Sequence, residues 1–77
     1  MEELIRNIIV ALVDFPDEVN VKKITGTNGS SIYEVKVAKA DTGKVIGKQG
    51  RNASALRTIV DAASKKNHIR SIIEILE

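Results

Sequence analysis

The chain has 77 residues, of which 43% are hydrophobic and 29% charged, and its formal net charge is +2. This length predicts one domain, residues 1–77, with a thin core, because a small chain buries only about 60% of its unfolded surface. The lack of cysteine and the single histidine exclude disulfides and thiolate metal sites, so we predict no metal and no cofactor. No stretch approaches the roughly 20 apolar residues of a membrane span, which makes the cytoplasm the expected compartment.

Charge is distributed unevenly along the chain. Residues 1–18 contain five acids and one arginine, a net charge of −4, whereas residues 19–77 contain eleven Lys or Arg and five acids, a net charge of +6. Residues 42–60 contain no acid and four cations, which are Lys44, Lys48, Arg51 and Arg57. This local basic field favours an anionic partner, although an ordinary solvated helix face has the same composition.

The chain begins with a predicted helix and strand. Residues 2–13 have apolar side chains at helical spacing and acids in the first turn, where the helix dipole favours them. Pro16 ends this helix, because proline disfavours helical angles at the preceding residue. Residues 19–25 are rich in β-branched side chains and predict the first strand. Its alternation slips between Val21 and Ile24, which indicates a bulge or an uncertain register.

A turn and a second strand follow. Residues 26–30, GTNGS, have the chemistry of a tight turn, so the first Gly-x-x-Gly segment of the chain is expected to be an ordinary hairpin connection. Residues 31–38 alternate as in a strand, with Tyr33, Val35 and Val37 on one face.

The second half predicts two helices and a strand. Asp41 is a candidate cap for a short helix that ends at Ile46, residues 51–66 predict a longer helix, and residues 68–76 predict a strand that begins at His68. The element order α-β-β-α-α-β predicts an α+β fold with a three-stranded mixed sheet. Strands one and two form an antiparallel hairpin, strand three runs parallel to strand two, and three helices cover one face.

The second Gly-x-x-Gly segment, residues 47–50, lies between two predicted helices. Glycine allows a backbone to pass close to a ligand, and the helix starting near Arg51 directs free N–H groups at this corner. Lys48 and Arg51 add positive charge, which suits a nucleic-acid phosphate. A plain interhelical turn is the alternative. A nucleotide-triphosphate loop is excluded, because the segment is one residue short and Gln49 replaces the magnesium-binding Ser or Thr.

These residues carry a family resemblance. The segment 46–51, IGKQGR, in this element order resembles a type II KH domain, and the chain is similar nearly end to end to the small bacterial KH-domain RNA-binding proteins called KhpA. The shared stretches are Leu12-Val13-Asp14, Pro16-Asp17-Glu18-Val19, Val45-Ile46-Gly47-Lys48-Gln49-Gly50-Arg51 and Ala55-Leu56-Arg57-Thr58. In two departures, Gln49 stands where a basic residue is common, and residues 27–31 lengthen the hairpin tip.

The resemblance implies a non-enzymatic protein that binds single-stranded RNA, with the Gly-x-x-Gly loop on the backbone of about four nucleotides. It assigns the phosphates to Gly47, Lys48, Gln49 and Gly50, and flanking charges to Lys44, Arg51 and Arg57. Candidates for the groove floor are Val45, Ile46, Ala53 and Leu56, of which Ile46 and Leu56 are more typical of a core. The opposite groove wall is expected from the second strand and the hairpin loop.

The resemblance also implies partners and a biological role. It implies an RNA chaperone or post-transcriptional regulator that forms a homodimer and/or pairs with a larger RNA-binding protein of the Jag or KhpB type, with a link to cell-envelope and cell-shape control. Phe15 and Tyr33 are the only aromatic residues, which excludes an aromatic platform for base stacking. Tyr33 is expected in the core.

An alternative to RNA binding is a protein-interaction or dimerisation module whose groove does not bind RNA. The apolar residues Ile72 and Leu76 on the last strand favour it, because exposed apolar surface commonly marks an interface. An enzyme is not expected, since the sequence has no nucleophile with a neighbouring base and no metal cluster.

Overall fold

The computed structural model describes residues 1–76 and arranges them as helices packed on a three-stranded sheet. The helices are α1 (Glu2–Leu12), α2 (Thr42–Ile46) and α3 (Arg51–Lys65), and the strands are β1 (Asn20–Thr25), β2 (Ser31–Lys36) and β3 (Ser71–Ile75). Single helical turns lie at Pro16–Glu18, Lys39–Asp41 and Lys48–Gly50. The predicted α-β-β-α-α-β order is confirmed.

β2 is the central strand of the sheet, antiparallel to β1 and parallel to β3, as the sequence predicts. The residues of β1 pair one to one with those of β2, so the predicted bulge is wrong. Val21 lies opposite Val35 on the face that the helices cover, whereas Ile24 lies opposite Ile32 on the other face. The slip in alternation therefore comes from an apolar residue on the outer face of the sheet.

The hydrophobic core lies between the inner face of the sheet and the helices. Ile5 and Ile9 of α1 and Val35 of β2 are fully buried, and burial of one such side chain contributes about 1.5–3 kcal/mol. Other members of the core are Val19, Tyr33, Val37, Val45, Leu56, Val60 and Ile73. The predicted core position of Tyr33 is confirmed. No helix within residues 1–76 is long and apolar enough to cross a membrane.

The third strand begins three residues later than predicted, at Ser71, because the chain first has to end α3. His68 has a positive φ of 56°, and its N–H donates to the Lys65 carbonyl. The N–H of Ile69 donates to the Ser64 carbonyl, which completes the hydrogen-bond pattern of a Schellman motif. His68 thus occupies the helix-ending position where glycine is usual, and the expectation that it starts the strand is wrong.

Candidate nucleic-acid interface

The chain reverses direction between α2 and α3 in four residues. Gly47 has φ 78° and ψ 172°, a conformation that essentially only glycine adopts. Gln49 (φ 56°) and Gly50 (φ 74°) follow in left-handed conformations, and the Gly50 N–H donates to the Gly47 carbonyl at 3.1 Å. A left-handed glutamine costs free energy, and such strain is found mostly at functional sites. We call residues 47–50 the glycine corner.

The two glycines of this corner serve different needs. A Cβ atom at Gly47 would lie 2.7 Å from Cγ of Asn52 and 2.9 Å from its backbone nitrogen, so Gly47 is required by packing as well as by its dihedral angles. A Cβ atom at Gly50 would meet no atom within 4 Å. Only the positive φ constrains Gly50, and asparagine tolerates that conformation.

Asn52 links the two helices across the corner. Its side-chain Nδ2 donates to the carbonyl oxygen of Lys44 at 2.8 Å, which satisfies a backbone acceptor in the last turn of α2. Because Asn52 also fills the space beside Gly47, one side chain fixes both the end of α2 and the first turn of α3.

Asp41 anchors the start of α2, but not by the expected cap. Its side chain is fully buried and makes no capping bond to α2. Instead, its carboxylate accepts the N–H groups of Asp14 at 3.1 Å and Phe15 at 3.0 Å, which lie just after α1. Burial alone would raise the pKa of Asp41, but these two donors and the nearby Lys44 ammonium hold that pKa below its ordinary value.

Lys44 is paired with acids instead of standing free beside the corner. Its ammonium forms an ion pair with Asp14 and lies 3.6 Å from Oδ1 of Asp41. The hydrogen bond to Asp14 raises the pKa of Lys44 above its usual value, so the lysine is charged and partly neutralised by its partners. The unpaired charge near the corner therefore comes from other residues.

Exposed cations and a helix terminus converge at the glycine corner. Lys48, Gln49 and Arg51 have exposed side chains, and within residues 1–76 no side chain caps the first turn of α3. The free N–H groups and the positive end of the dipole of this 15-residue helix point toward the corner. The arrangement can bind an anion such as a phosphate.

A groove of about 520 Å³ opens between α3 and β3, one helical turn from the corner. Its α3 wall is formed by Ser54, Arg57, Thr58 and Asp61, and its β3 wall by residues 70–73. The expectation that β2 and the hairpin loop form the second wall is wrong. β2 is central and paired on both edges, so β3 is the strand that borders the groove.

Direct contacts hold the two walls of the groove together. Nη2 of Arg57 lies 3.5 Å from the carbonyl oxygen of Ile73, a long hydrogen bond that spans the groove floor. The hydroxyls of Ser64 and Ser71 are 2.6 Å apart and join the end of α3 to the start of β3. The Ser64–Ser71 contact therefore sets the distance between α3 and β3 at this end of the groove.

The open edge of β3 supplies backbone groups to the groove. The Arg70 carbonyl accepts from the Ser31 N–H of β2, and the Leu76 N–H donates to the Val35 carbonyl of β2. The even-numbered residues along β3 therefore direct their backbone N–H and C=O groups toward β2. Because strand residues alternate, Ser71, Ile73 and Ile75 direct their N–H and C=O groups to the unpaired edge. These groups can donate and accept hydrogen bonds.

The apolar candidates for the groove floor lie mostly in the interior. Val45 is 1% exposed and Ala53 5%, whereas Leu56 is 2% exposed, in agreement with its expected place in the core, and Ile46 is half-buried. The sequence reasoning missed the groove residues Ser54, Thr58, Asp61 and 70–73. The predicted strand pairing could have identified the β3 wall. If strand two pairs with both strand one and strand three, strand two is central and strand three has a free edge that can border a groove.

Comparisons with known proteins identify the family of the chain. The sequence model described as "KhpA/KhpB, KH domain" matches residues 2–75. The chain is 51% identical to the RNA-binding protein KhpA of Clostridium acetobutylicum, over 99% of this chain and 100% of that protein. The chain belongs to the KhpA/KhpB KH-domain family.

Two other relatives extend the match within this family. The RNA-binding protein KhpA of Caldanaerobacter subterraneus is 55% identical over 99% of this chain and 100% of that protein. The one from Listeria monocytogenes is 47% identical over the full length of both chains. The predicted family is confirmed, and the family is non-enzymatic. Within residues 1–76, no group of three or more His, Cys, Asp or Glu side chains could hold a metal ion.

The unequal roles of the glycines predict unequal costs of substitution. Gly47→Ala should lower the free energy of unfolding by about 2 kcal/mol or more, because strained dihedral angles and a clash with Asn52 combine. Gly50→Asn should cost less than about 1 kcal/mol. Urea unfolding measures both, with Gly43→Ala as the control, since Gly43 is helical with open space around it. Equal losses at Gly47 and Gly50 would contradict this account.

The buried Asp41 predicts a pH dependence. Because the folded pKa lies below the unfolded value of about 3.9, its stabilisation is present above about pH 4 and is lost as the pH falls through the folded pKa. Asp41→Asn should therefore lower the melting temperature at pH 7, and the curves of parent and variant should converge toward pH 2. Asp17→Asn, at an exposed side chain, is the control. Parallel curves from pH 7 to pH 2 would rule out this role.

Proposed function

We propose that this protein binds single-stranded RNA without catalysis, with the backbone phosphates at the glycine corner and the bases in the groove between α3 and β3. The observation that carries the proposal is that the glycine corner and the groove are continuous with each other. An exposed, positively charged corner at a helix N-terminus opens, one turn later, into a groove with an unpaired strand edge. The relatives named RNA-binding protein KhpA support it.

The corner suits the phosphate backbone for electrostatic and steric reasons. Lys48 and Arg51 attract phosphate, Arg57 extends the positive charge along α3, and the N–H groups at the start of α3 can donate to its oxygens. Gly47, Gln49 and Gly50 let the protein backbone approach the bound RNA strand closely. Lys44 contributes less to this binding, because two carboxylates already neutralise it.

The groove suits unpaired bases. Its outline offers apolar contact at Ile72 and Ile73, donors at Arg57 and Arg70, and the free backbone groups of β3. Watson–Crick edges are accessible only in single strands, and single-stranded segments are the usual targets of sequence-specific RNA recognition. The groove contains no aromatic side chain, so binding depends on shape, apolar contact and hydrogen bonds.

The biological setting of the proposal follows the family resemblance. We propose a cytoplasmic RNA chaperone or post-transcriptional regulator that acts as a homodimer or with a Jag/KhpB-type partner and whose role is linked to the cell envelope and cell shape. One groove holding about four nucleotides gives modest affinity. A second RNA-binding chain would raise it through effective concentration.

A second candidate function is a protein-interaction module. Ile24, Ile32 and Ile72 are neighbours across the three strands on the face of the sheet opposite the helices, and Ile72 is 37% exposed. Such an apolar row favours contact with another protein. The row meets the groove at Ile72 but lies away from the glycine corner, so substitutions at the corner distinguish the two functions.

RNA binding across a salt series tests the proposal. We expect Lys48→Asp with Gln49→Asp to weaken binding of a fluorescent single-stranded RNA at least tenfold, because three units of charge change at the phosphate site. For the parent, each phosphate contact should add about −0.7 to the slope of log affinity against log salt. Fluorescence anisotropy measures both quantities.

The matched control for this experiment is Lys22→Asp with Asn20→Asp. It changes the charge equally at two exposed residues of β1, outside the groove. The control should retain parental affinity apart from a small general electrostatic loss. If both double variants bind as the parent does, the corner is only a turn. If the parent binds no RNA, the interaction module is favoured.

A further inference from the structure

The groove contains one feature that phosphate attraction does not account for, which is an acid. Asp61 lines the groove on the α3 wall, and among residues 1–76 it is the acidic residue there. A carboxylate repels a phosphate backbone, so its presence between Arg57 and Arg70 opposes a purely electrostatic role for this part of the groove.

Asp61 is accessible and keeps an acceptor free. Its side chain is 62% exposed, and only Oδ2 has an ionic partner, Lys65 at 3.3 Å. An ion pair between two such exposed side chains is weak. The other oxygen, Oδ1, remains able to accept a hydrogen bond from a ligand.

The neighbouring hydroxyls are neutral, so as acceptors they are weaker than the Asp61 carboxylate. Thr58 Oγ1 donates to the Ser54 carbonyl at 3.0 Å, and Ser71 Oγ is paired with Ser64 Oγ at 2.6 Å. The side chains of Arg57 and Arg70 are donors only. Asp61 is therefore the strongest side-chain acceptor that the groove walls offer to a base.

Distance along α3 separates Asp61 from the phosphate site. Asp61 is eleven residues beyond Gly50, which corresponds to about 16 Å along a helix axis. It lines the same groove as Arg70 and residues 71–73 of β3, where the groove has apolar side chains and free backbone groups. This location suits a base edge better than the phosphates held at the corner.

We infer that Asp61 is a specificity-determining residue that selects bases with an amino group on their Watson–Crick edge, which cytosine, adenine and guanine carry, against uracil, which lacks one. This inference rests on the proposed RNA binding. A carboxylate accepts a hydrogen bond from the cytosine N4 or adenine N6 amino group. Uracil has the carbonyl oxygen O4 in place of this amino group, and O4 repels the carboxylate, so the ring N3–H is the only donor that uracil offers on this edge.

A panel of short homopolymers tests the role of Asp61. We expect the parent to bind ten-nucleotide oligo-C and oligo-A about tenfold more tightly than oligo-U, the effect of a single hydrogen bond to a charged group. Asp61→Asn should reduce this preference to within about twofold, because an amide can also donate to O4. The quantity compared is the ratio of dissociation constants, since removal of a negative charge raises affinity for every RNA.

Two controls sharpen the comparison. Glu74→Gln removes the same charge from an exposed side chain of β3 that does not line the groove, and it should keep the parental ratio. Oligo-C made from cytidine that lacks the 4-amino group should bind the parent about tenfold more weakly than oligo-C. For Asp61→Asn the same replacement should have little effect.

The outcomes separate this inference from the proposed function. Binding of a mixed-sequence RNA by the parent, and its loss in the Lys48→Asp, Gln49→Asp variant, tests RNA binding at the corner alone. If that binding is intact and Asp61→Asn keeps the parental ratio, or the parent does not discriminate against oligo-U, the role of Asp61 is overturned. If the parent binds no RNA of any composition, both the proposed function and this inference fail.

Discussion

The conformation of the glycine corner is the constraint on which the rest of the structure depends. Positive φ angles at Gly47, Gln49 and Gly50 turn the chain from α2 into α3 within four residues. The resulting direction of α3 packs Leu56 and Val60 against the sheet. It also leaves the N-terminus of α3 exposed at the corner. The polar residues of α3 that line the groove then lie across from β3. One local backbone conformation thus determines the core contact, the anion site and the groove.

Polar side chains stabilise this corner from both sides. Asp41 ties the start of α2 to the segment after α1 through the Asp14 and Phe15 N–H groups, and Asn52 ties the end of α2 to α3. Both act on backbone groups, so they fix the path of the chain and leave Lys48 and Gln49 exposed. A site held in its binding conformation before the ligand arrives loses less entropy on binding. The strain at Gln49 is the cost of this conformation.

The sequence predicts the features that depend on neighbouring residues. The apolar periodicities give the elements and their order, and the Gly-x-x-Gly segment between two helices identifies the corner. Parallel pairing of β2 and β3 follows from the helical crossover between them. These signals work because helix, strand and turn preferences act over a few residues.

The predictions from sequence are wrong where contacts between residues distant along the chain determine the local structure. The carboxylate of Asp41 binds N–H groups 26 and 27 residues away, which no local capping rule anticipates. The apolar Ile24 interrupts the alternation and so suggests a bulge. Its place on the outer face, opposite Ile32, becomes evident only from the register with β2. His68 ends α3 in a conformation that usually requires glycine, so its residue type does not indicate this helix end. To predict that β3 forms a groove wall, one has to know the order of the strands across the sheet. Once that order is known, Asp61 can be recognised as a residue of the opposite wall.

The most direct test of the account is to map the bound RNA onto the surface by NMR. Titration of ¹⁵N-labelled protein with a short single-stranded RNA should shift the amide signals of residues 47–51 and 71–73 most strongly. The amides around Lys22 and Glu34, whose side chains lie on the outer face of the sheet, should change little. Strong shifts confined to that outer face, or at the corner without the groove, would contradict the claim that corner and groove act as one RNA site.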